Sequence, residues 1–293
     1  MKTTTVFRNL LESDETFVMP GSHDPLSASI VESAGFKAVY MSGAGAAAAV
    51  LNAPDLGLMT MTEVIRQAAN IVNAVSIPVI ADSDTGYGDA LNVTRAAKEF
   101  QRAGVAGIHI EDLEKHQCGL HMNKTLLSSE EMVGRIKAAR DSIDDDDFVL
   151  IARTDAIGAI GGGVDEAITR ANRFLEAGAD AIWVQEPPVP LQTEEVFVKV
   201  AKEVQGPLMV AAGYNQHSIS QFEEWGYKIV FYPTLSAQVV MKALIDLWTD
   251  VKEKGMEKEF CKVLPQRGIS FDEFMERTRF HENQAVRDKY LPK

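Results

Sequence analysis

Asp82 and Asp84 flank Ser83 at the end of an apolar run, Val79-Ile80-Ala81, and Glu111 with Asp112 closes another, Gly107-Ile108-His109-Ile110. Asp82, Asp84 and Glu111 on one rim would offer three hard oxygen ligands, a set that suits Mg²⁺ or Mn²⁺ completed by waters and substrate. The bland alternative is that the two aspartates cap helix starts. Arg153 ends the run Phe148-Val149-Leu150-Ile151-Ala152, and a guanidinium there needs an anion. That anion is either a substrate carboxylate held bidentately or an ion-pair partner among Glu111, Asp155 and Glu186. The small residues after Met41, Ser42-Gly43-Ala44-Gly45, let backbone N–H groups and a hydroxyl approach a carboxylate closely, though they would equally allow tight helix packing. A polar loop after Glu111 carries Lys115, His116, Cys118, His121 and Lys124. Basic neighbours should lower the Cys118 pKa and fit it to act as nucleophile or proton donor. A surface thiol is the alternative; zinc is disfavoured by the ligand spacing.

Eight short, nearly continuous hydrophobic runs precede or contain these residues: 16–20, 38–42, 78–82, 107–111, 148–153, 181–186, 207–211 and 228–233. Such runs are buried on both faces, as in a parallel sheet. Between them, segments such as 62–75, 90–104, 128–143, 165–178 and 193–204 repeat apolar residues at helical spacing. Strand and helix alternating eight times predict a (β/α)₈ barrel, whose site forms at the carboxyl ends of the strands. Gly35, Gly104, Gly178 and Gly226 each recur a few residues before a strand, where a helix needs a left-handed cap. The doubly wound open sheet competes, but the turn after the first strand, Pro20-Gly21-Ser22-His23-Asp24, is not the glycine-rich phosphate turn it requires. Residues 234–250 read as the last barrel helix, 251–293 as a helical extension of one barrel domain spanning 1–293, and 270–284 as a terminal helix. The turn Gly213-Tyr214-Asn215 closes the seventh strand.

The 293 residues carry a net charge of −13 and only two cysteines, Cys118 and Cys261. That composition fits a folded chain in a reducing compartment and offers no basic surface for nucleic acid. No run spans a membrane and the first residues lack a signal-peptide core, so the expected location is cytoplasmic. An acidic protein that binds an anion must supply local positive charge from placed arginines or a metal ion.

The stretches PGSHDPLSA, YMSGAGA, PDLGLMT, VIADSDTGYG, AGIHIED, Cys118-Gly119, FVLIARTDA and EAGADAIW, in this order, resemble the isocitrate lyase/phosphoenolpyruvate mutase superfamily, especially its methylisocitrate lyase and 2,3-dimethylmalate lyase members. The resemblance implies a (β/α)₈ barrel, a homotetramer, and a helix after the eighth strand exchanged between subunits. It implies Mg²⁺ (or Mn²⁺) at Asp82 and Asp84, with Asp55 and Glu111 in the surrounding shell. Tyr40, Ser42, Gly43 and Ala44 would hold a substrate carboxylate, Arg153 the 2-oxo acid portion, and Glu186 would face the rest. Cys118 would protonate the leaving enolate carbon. Around it the usual Lys-Lys-Cys-Gly-His or Lys-Arg-Cys-Gly-His is altered: the position two before Cys118 is His116 and the position two after is Leu120, followed by His121. The expected activity is cleavage of a small 2-hydroxy di- or tricarboxylate, of alkylmalate or methylisocitrate type, to a 2-oxo acid and a second acid. Tyr40, Glu111 through water or a metal-bound hydroxide would take the hydroxyl proton. Oxaloacetate decarboxylation or hydrolysis, phosphonopyruvate chemistry and a non-catalytic dicarboxylate-binding barrel are the alternatives.

Overall fold

A computed structural model describes residues 1–116, 123–186, 192–213, 217–255, 266 and 268–291. Cys118, His121, Tyr214, Asn215 and Cys261, all singled out above, lie outside the described residues. Eight parallel strands close on themselves in sequence order: β1 (Phe17–Ser22), β2 (Val39–Met41), β3 (Val79–Asp82), β4 (Gly107–Glu111), β5 (Val149–Thr154), β6 (Ala181–Val184), β7 (Leu208–Ala211) and β8 (Ile229–Tyr232). The last strand returns to the first, with Phe17 opposite Ile229 and Pro20 opposite Tyr232. All eight expected runs therefore became strands, and the open-sheet alternative falls.

The strands are apolar throughout because each serves two cores. Tyr40, Ile80, Ile151, Trp183, Met209 and Phe231 pack with one another inside the barrel. Their neighbours one residue away, such as Val39, Ala81, Leu150, Ile182 and Val210, pack outward against the helices. A strand's side chains alternate faces, so every position of these runs is buried on one side or the other. Helix α1 (Thr3–Glu12) stops the inner core at its amino-terminal end: Phe7, fully buried, meets Phe17 edge-on at 5.7 Å between ring centres.

The surrounding helices are α2 (Pro25–Ser33), α3 (Gly43–Leu51), α4 (Met61–Val72), α5 (Ala90–Ala103), α6 (Ser129–Ser142), α7 (Val164–Glu176), α8 (Glu194–Glu203) and α9 (Ile219–Trp225); α10 (Leu235–Lys254) follows β8, and none of its residues is buried. Their starts are chemically marked. Asp24 and Ser27 cap α2 reciprocally, with Pro25 at its first position, and Thr60 with Glu63 does the same for α4. Their ends are marked too, since Gly35, Gly104, Gly178 and Gly226 all take positive φ, from 87° to 109°.

The chain divides into two compact units, Met1–Ala237 and Gln238–Lys293. The second consists of most of α10 followed by α11 (Phe271–Arg277) and α12 (Phe280–Tyr290). One continuous helix over 270–284 was expected. The chain instead turns at Thr278 and Arg279, where Arg279 adopts φ 57°, and a non-glycine left-handed residue ends helical propagation. Among the described residues no helix is long and apolar enough to cross a membrane.

Candidate active site

The inward-facing period of the strands carries the apolar core into a polar layer at their carboxyl ends: Ile80 leads to Asp82, and Ile151 leads to Arg153. On β4 the same period gives His109 and Glu111, both fully buried.

Asp82 is held from four directions. Its carboxylate accepts from the Tyr40 hydroxyl at 3.2 Å, from the Gly43 N–H at 3.1 Å and from the Asp84 N–H at 3.0 Å, and His109 Nε2 stands 3.2 Å away. Burial raises its pKa, but His109, His116, the Asp84 N–H and Arg153 together outweigh it, so the group is kept ionised. Asp84 has the opposite fate. Burial, followed by the charge of Asp82, raises its pKa well above the usual carboxylate range. Its backbone sits at φ 48°, a left-handed conformation that a non-glycine residue holds only when its surroundings impose it. Neither aspartate caps a helix. Asp89 caps α5 instead, its carboxylate accepting from the Leu91 N–H at 2.9 Å.

A second cluster adjoins the first. The His116 ring faces Glu111 through Nδ1 at 2.6 Å and Asp55 through Nε2 at 2.7 Å, with Asp84 3.6 Å from Nδ1. Burial works against a charged ring here, yet Glu111, the hydrogen bonds to Asp55 and Glu111, and Asp84 push its pKa up to about 12. Asp55, Asp84 and His116 each bring one ligand atom within 4.8 Å of the others. Two carboxylate oxygens and an imidazole, with Asp82 and Glu111 alongside, fit a divalent cation and explain why acids converge in a chain of net charge −13. The Tyr87 hydroxyl, buried and without a hydrogen-bond partner among the described residues, is within electrostatic reach of Asp84, Asp82 and Glu111.

Glu111 ties this cluster to the cationic one. Its second oxygen lies 3.2 Å from Arg153 Nη1. Asp155 takes Arg153 through Nε at 2.8 Å and Nη2 at 3.0 Å, and also pairs with the buried Lys124. Arg153 further stacks over Trp183, 4.2 Å from the ring centre. The ion-pair partners foreseen for Arg153 therefore include Glu111 and Asp155. Behind Asp155, Asp112 accepts from Thr154 Oγ1 at 2.7 Å and from the Asp155 N–H at 3.0 Å. Glu186 accepts from the Ala211 N–H at 2.5 Å and from Trp183 Nε1 at 3.2 Å; burial pushes its pKa to about 7 despite those bonds.

Most residues picked from the sequence meet at one end of the barrel. Ser42 is the N-cap of α3, accepting from the Gly45 N–H at 3.1 Å, and Gly43 and Ala44 are the first residues of that helix. Asp55 arrives from the loop between α3 and α4. The sequence reading gave no role to His109 and no cluster membership to His116; Lys124 was foreseen only as a basic neighbour of Cys118, and Asp155 only as an ion-pair partner of Arg153. His109 was discoverable, because it shares the inward period of β4 with Glu111. The His116–Asp55 contact spans 61 positions and left no local trace.

Comparison with known proteins agrees with this fold. The phosphoenolpyruvate phosphomutase family model matches residues 7–252. The chain is 38% identical to a 2,3-dimethylmalate lyase of Eubacterium barkeri, covering 99% of both chains. It is 39% identical to a 2-methylisocitrate lyase of Aeropyrum pernix, over 91% of this chain and 85% of that one. Among solved structures, a 2,3-dimethylmalate lyase of the phosphoenolpyruvate mutase/isocitrate lyase superfamily aligns with TM-score 0.86 at 31% identity, over 99% of this chain and 95% of that one. An oxaloacetate acetylhydrolase bound to 3,3-difluorooxalacetate aligns with TM-score 0.89 at 28% identity, over 100% and 98%. A phosphonopyruvate hydrolase with oxalate and Mg²⁺ aligns with TM-score 0.89 at 29% identity, over 100% of both chains. With its closed barrel, its acidic rim and these relatives, the chain belongs to the phosphoenolpyruvate phosphomutase family, within the phosphoenolpyruvate mutase/isocitrate lyase superfamily.

Proposed function

We propose that this protein is a divalent-metal-dependent carbon–carbon lyase that cleaves a 2-hydroxy dicarboxylate or tricarboxylate of alkylmalate or methylisocitrate type. The products would be a 2-oxo acid such as pyruvate and a second carboxylic acid. The observation that carries the reading is the double engagement of Glu111, one oxygen on His116 of the Asp55–Asp84–His116 cluster and the other on Arg153. A cation site and a carboxylate-binding guanidinium side by side match the two oxygen-bearing ends of a 2-hydroxy acid. Near-full-length identity to a 2,3-dimethylmalate lyase supports the same substrate class.

Asp84, Asp55 and Asp82 would hold Mg²⁺ or Mn²⁺ with Glu111 beside them. When bound, the ion supplies Lewis-acid polarisation of the substrate oxygens. Arg153 spends part of its five-donor fork on Asp155 and Glu111 and offers the rest to the carboxylate of the 2-oxo acid portion. Asp155 fixes the plane of that guanidinium, so Arg153 meets its partner already oriented. At the amino end of α3, where Gly43 gives its N–H to Asp82, the Ser42 hydroxyl and the Ala44 N–H would face the charge that grows on the departing carboxylate. Tyr40 is held protonated by burial and by Asp82, which suits it to donate a hydrogen bond rather than to act as base. Glu111 is then the protein group left to receive the hydroxyl proton. The carbon–carbon bond breaks, its electron pair passes to the carbon next to the leaving carboxylate, and the Cys118 thiol protonates that carbon. Glu186 would face the remainder of the substrate.

Structural neighbours that hydrolyse oxaloacetate or phosphonopyruvate favour a second reading, hydrolysis of an oxaloacetate-like acid, which uses the same cation and Arg153 without a thiol. The exposed apolar face of α10, with Val239, Met241, Ile245 and Trp248 all more than half exposed, supports assembly into a homotetramer through that helix. A coupled assay for 2-oxo acid release, with and without EDTA, across malate, 2,3-dimethylmalate, methylisocitrate, isocitrate and oxaloacetate separates the readings. EDTA-sensitive release from an alkylmalate or methylisocitrate is expected; turnover of oxaloacetate alone would overturn the lyase in favour of the hydrolase.

A further inference from the structure

We propose that His116 is itself a ligand of the cation site, through one ring nitrogen, so that the site prefers a transition-metal dication of the Mn²⁺ or Co²⁺ class over Mg²⁺. This rests on the cation reading above and adds to it a donor atom and a metal preference.

Three observations place the ring there. His116 shares the cluster of convergent ligand atoms with Asp55 and Asp84. Both of its nitrogens face carboxylates, Glu111 at 2.6 Å and Asp55 at 2.7 Å, so a cation that displaces one ring proton would bind that nitrogen while the other keeps its N–H on a carboxylate. Metal-bound histidines are oriented in that way, by a carboxylate on the second nitrogen. The loop between α3 and α4 also packs against this residue: a Cβ at Gly57, whose φ is 69°, would lie 3.4 Å from the His116 Cβ, an ordinary contact distance. Asp55, two residues earlier on the same loop, meets Nε2.

The consequence follows from donor chemistry. Mg²⁺ takes oxygen ligands almost exclusively, at near-ideal octahedral geometry. Imidazole favours later divalent ions, whose affinity for mixed nitrogen and oxygen sites rises from Mn²⁺ through Co²⁺.

The test uses the full-length protein and Mn²⁺ alone as the probe. Pulsed electron paramagnetic resonance of the Mn²⁺-loaded protein should show ¹⁴N modulation that changes to the ¹⁵N pattern when the protein is labelled with ¹⁵N-histidine. The modulation should vanish in His116→Gln. Competition between Mn²⁺ and Mg²⁺, followed by the free Mn²⁺ signal, should show Mn²⁺ affinity falling by at least about 10-fold in that variant, since losing even a partner behind a metal-bound histidine costs about 10- to 100-fold. His116→Asn serves the same comparison if the glutamine variant does not fold. Stoichiometric Mn²⁺ binding without nitrogen modulation, or modulation that persists in the folded His116 variant, would overturn the ligand role and leave the cation reading standing. Failure of both ions to bind at millimolar concentration would overturn both.

Discussion

Replacing Gly43 by alanine is a small change with a computable effect on the site. A Cβ at Gly43 would lie 2.6 Å from Asp82 Oδ2 and 3.0 Å from its Cγ. An ordinary contact begins at 3.4 Å, so the carboxylate must retreat by about 0.8 Å or the start of α3 must move as far. Gly43 has no positive φ and occupies the first position of α3, so its backbone accepts alanine. Helix propensity even favours the change by roughly 0.5–1 kcal/mol, against about 1–3 kcal/mol for the crowding. Net stability should therefore fall by no more than about 2.5 kcal/mol, or ~10 °C in Tm. Activity should fall although the protein stays folded, since a displacement near 1 Å costs on the order of 100-fold in rate, about 2.7 kcal/mol of transition-state stabilisation. The assay pairs kcat/KM for 2-oxo acid release from 2,3-dimethylmalate with thermal unfolding of the same preparation. Activity within threefold of wild type would refute the argument that the closeness of Gly43 to Asp82 positions the carboxylate. So would an activity loss matched by wholesale unfolding.

Asp155→Asn removes the carboxylate shared by buried Arg153 and Lys124, and should lower stability by about 3–5 kcal/mol, read as a fall in urea midpoint at unchanged m-value; a loss under about 1 kcal/mol would contradict the pairing. Glu186 holds its proton more tightly in the folded protein, with a pKa moved from 4.5 to about 7, so its stabilising contribution is complete below pH ~4.5 and is lost as pH rises through ~7. Wild type should accordingly lose up to about 3 kcal/mol relative to Glu186→Gln between pH 4.5 and 8, and a difference that does not vary with pH would contradict the assignment. Phe7→Ala, which empties the amino-terminal end of the inner core, should cost about 3–5 kcal/mol in chemical denaturation while leaving KM within about twofold.

The strands were legible because a barrel demands burial on both faces, and runs such as 148–153 state that demand residue by residue. The helix ends were legible in Gly35, Gly104, Gly178 and Gly226, whose positive φ other residues resist. The break at Thr278 and Arg279 was not, since the apolar spacing over 270–284 continues through it. Within the site, Asp82, Glu111 and Arg153 could be read because they end recognisable strands. Ser42 and Gly43 were readable as an anion-seeking turn, yet Gly43 spends its N–H on Asp82, a contact set by barrel closure rather than by neighbouring residues. His116 and Asp55 meet only because two loops fold over the same strand ends. No spacing rule records such a meeting.

The most direct test of the central account is to incubate the protein with 2,3-dimethylmalate and a divalent cation in D₂O and to follow both fragments by NMR. The account predicts equal amounts of a 2-oxo acid and a second carboxylic acid, the latter carrying one solvent-derived deuteron at its α-carbon, with EDTA abolishing both. Cleavage undiminished by EDTA, or inertness toward every alkylmalate and methylisocitrate alongside turnover of oxaloacetate, would contradict it.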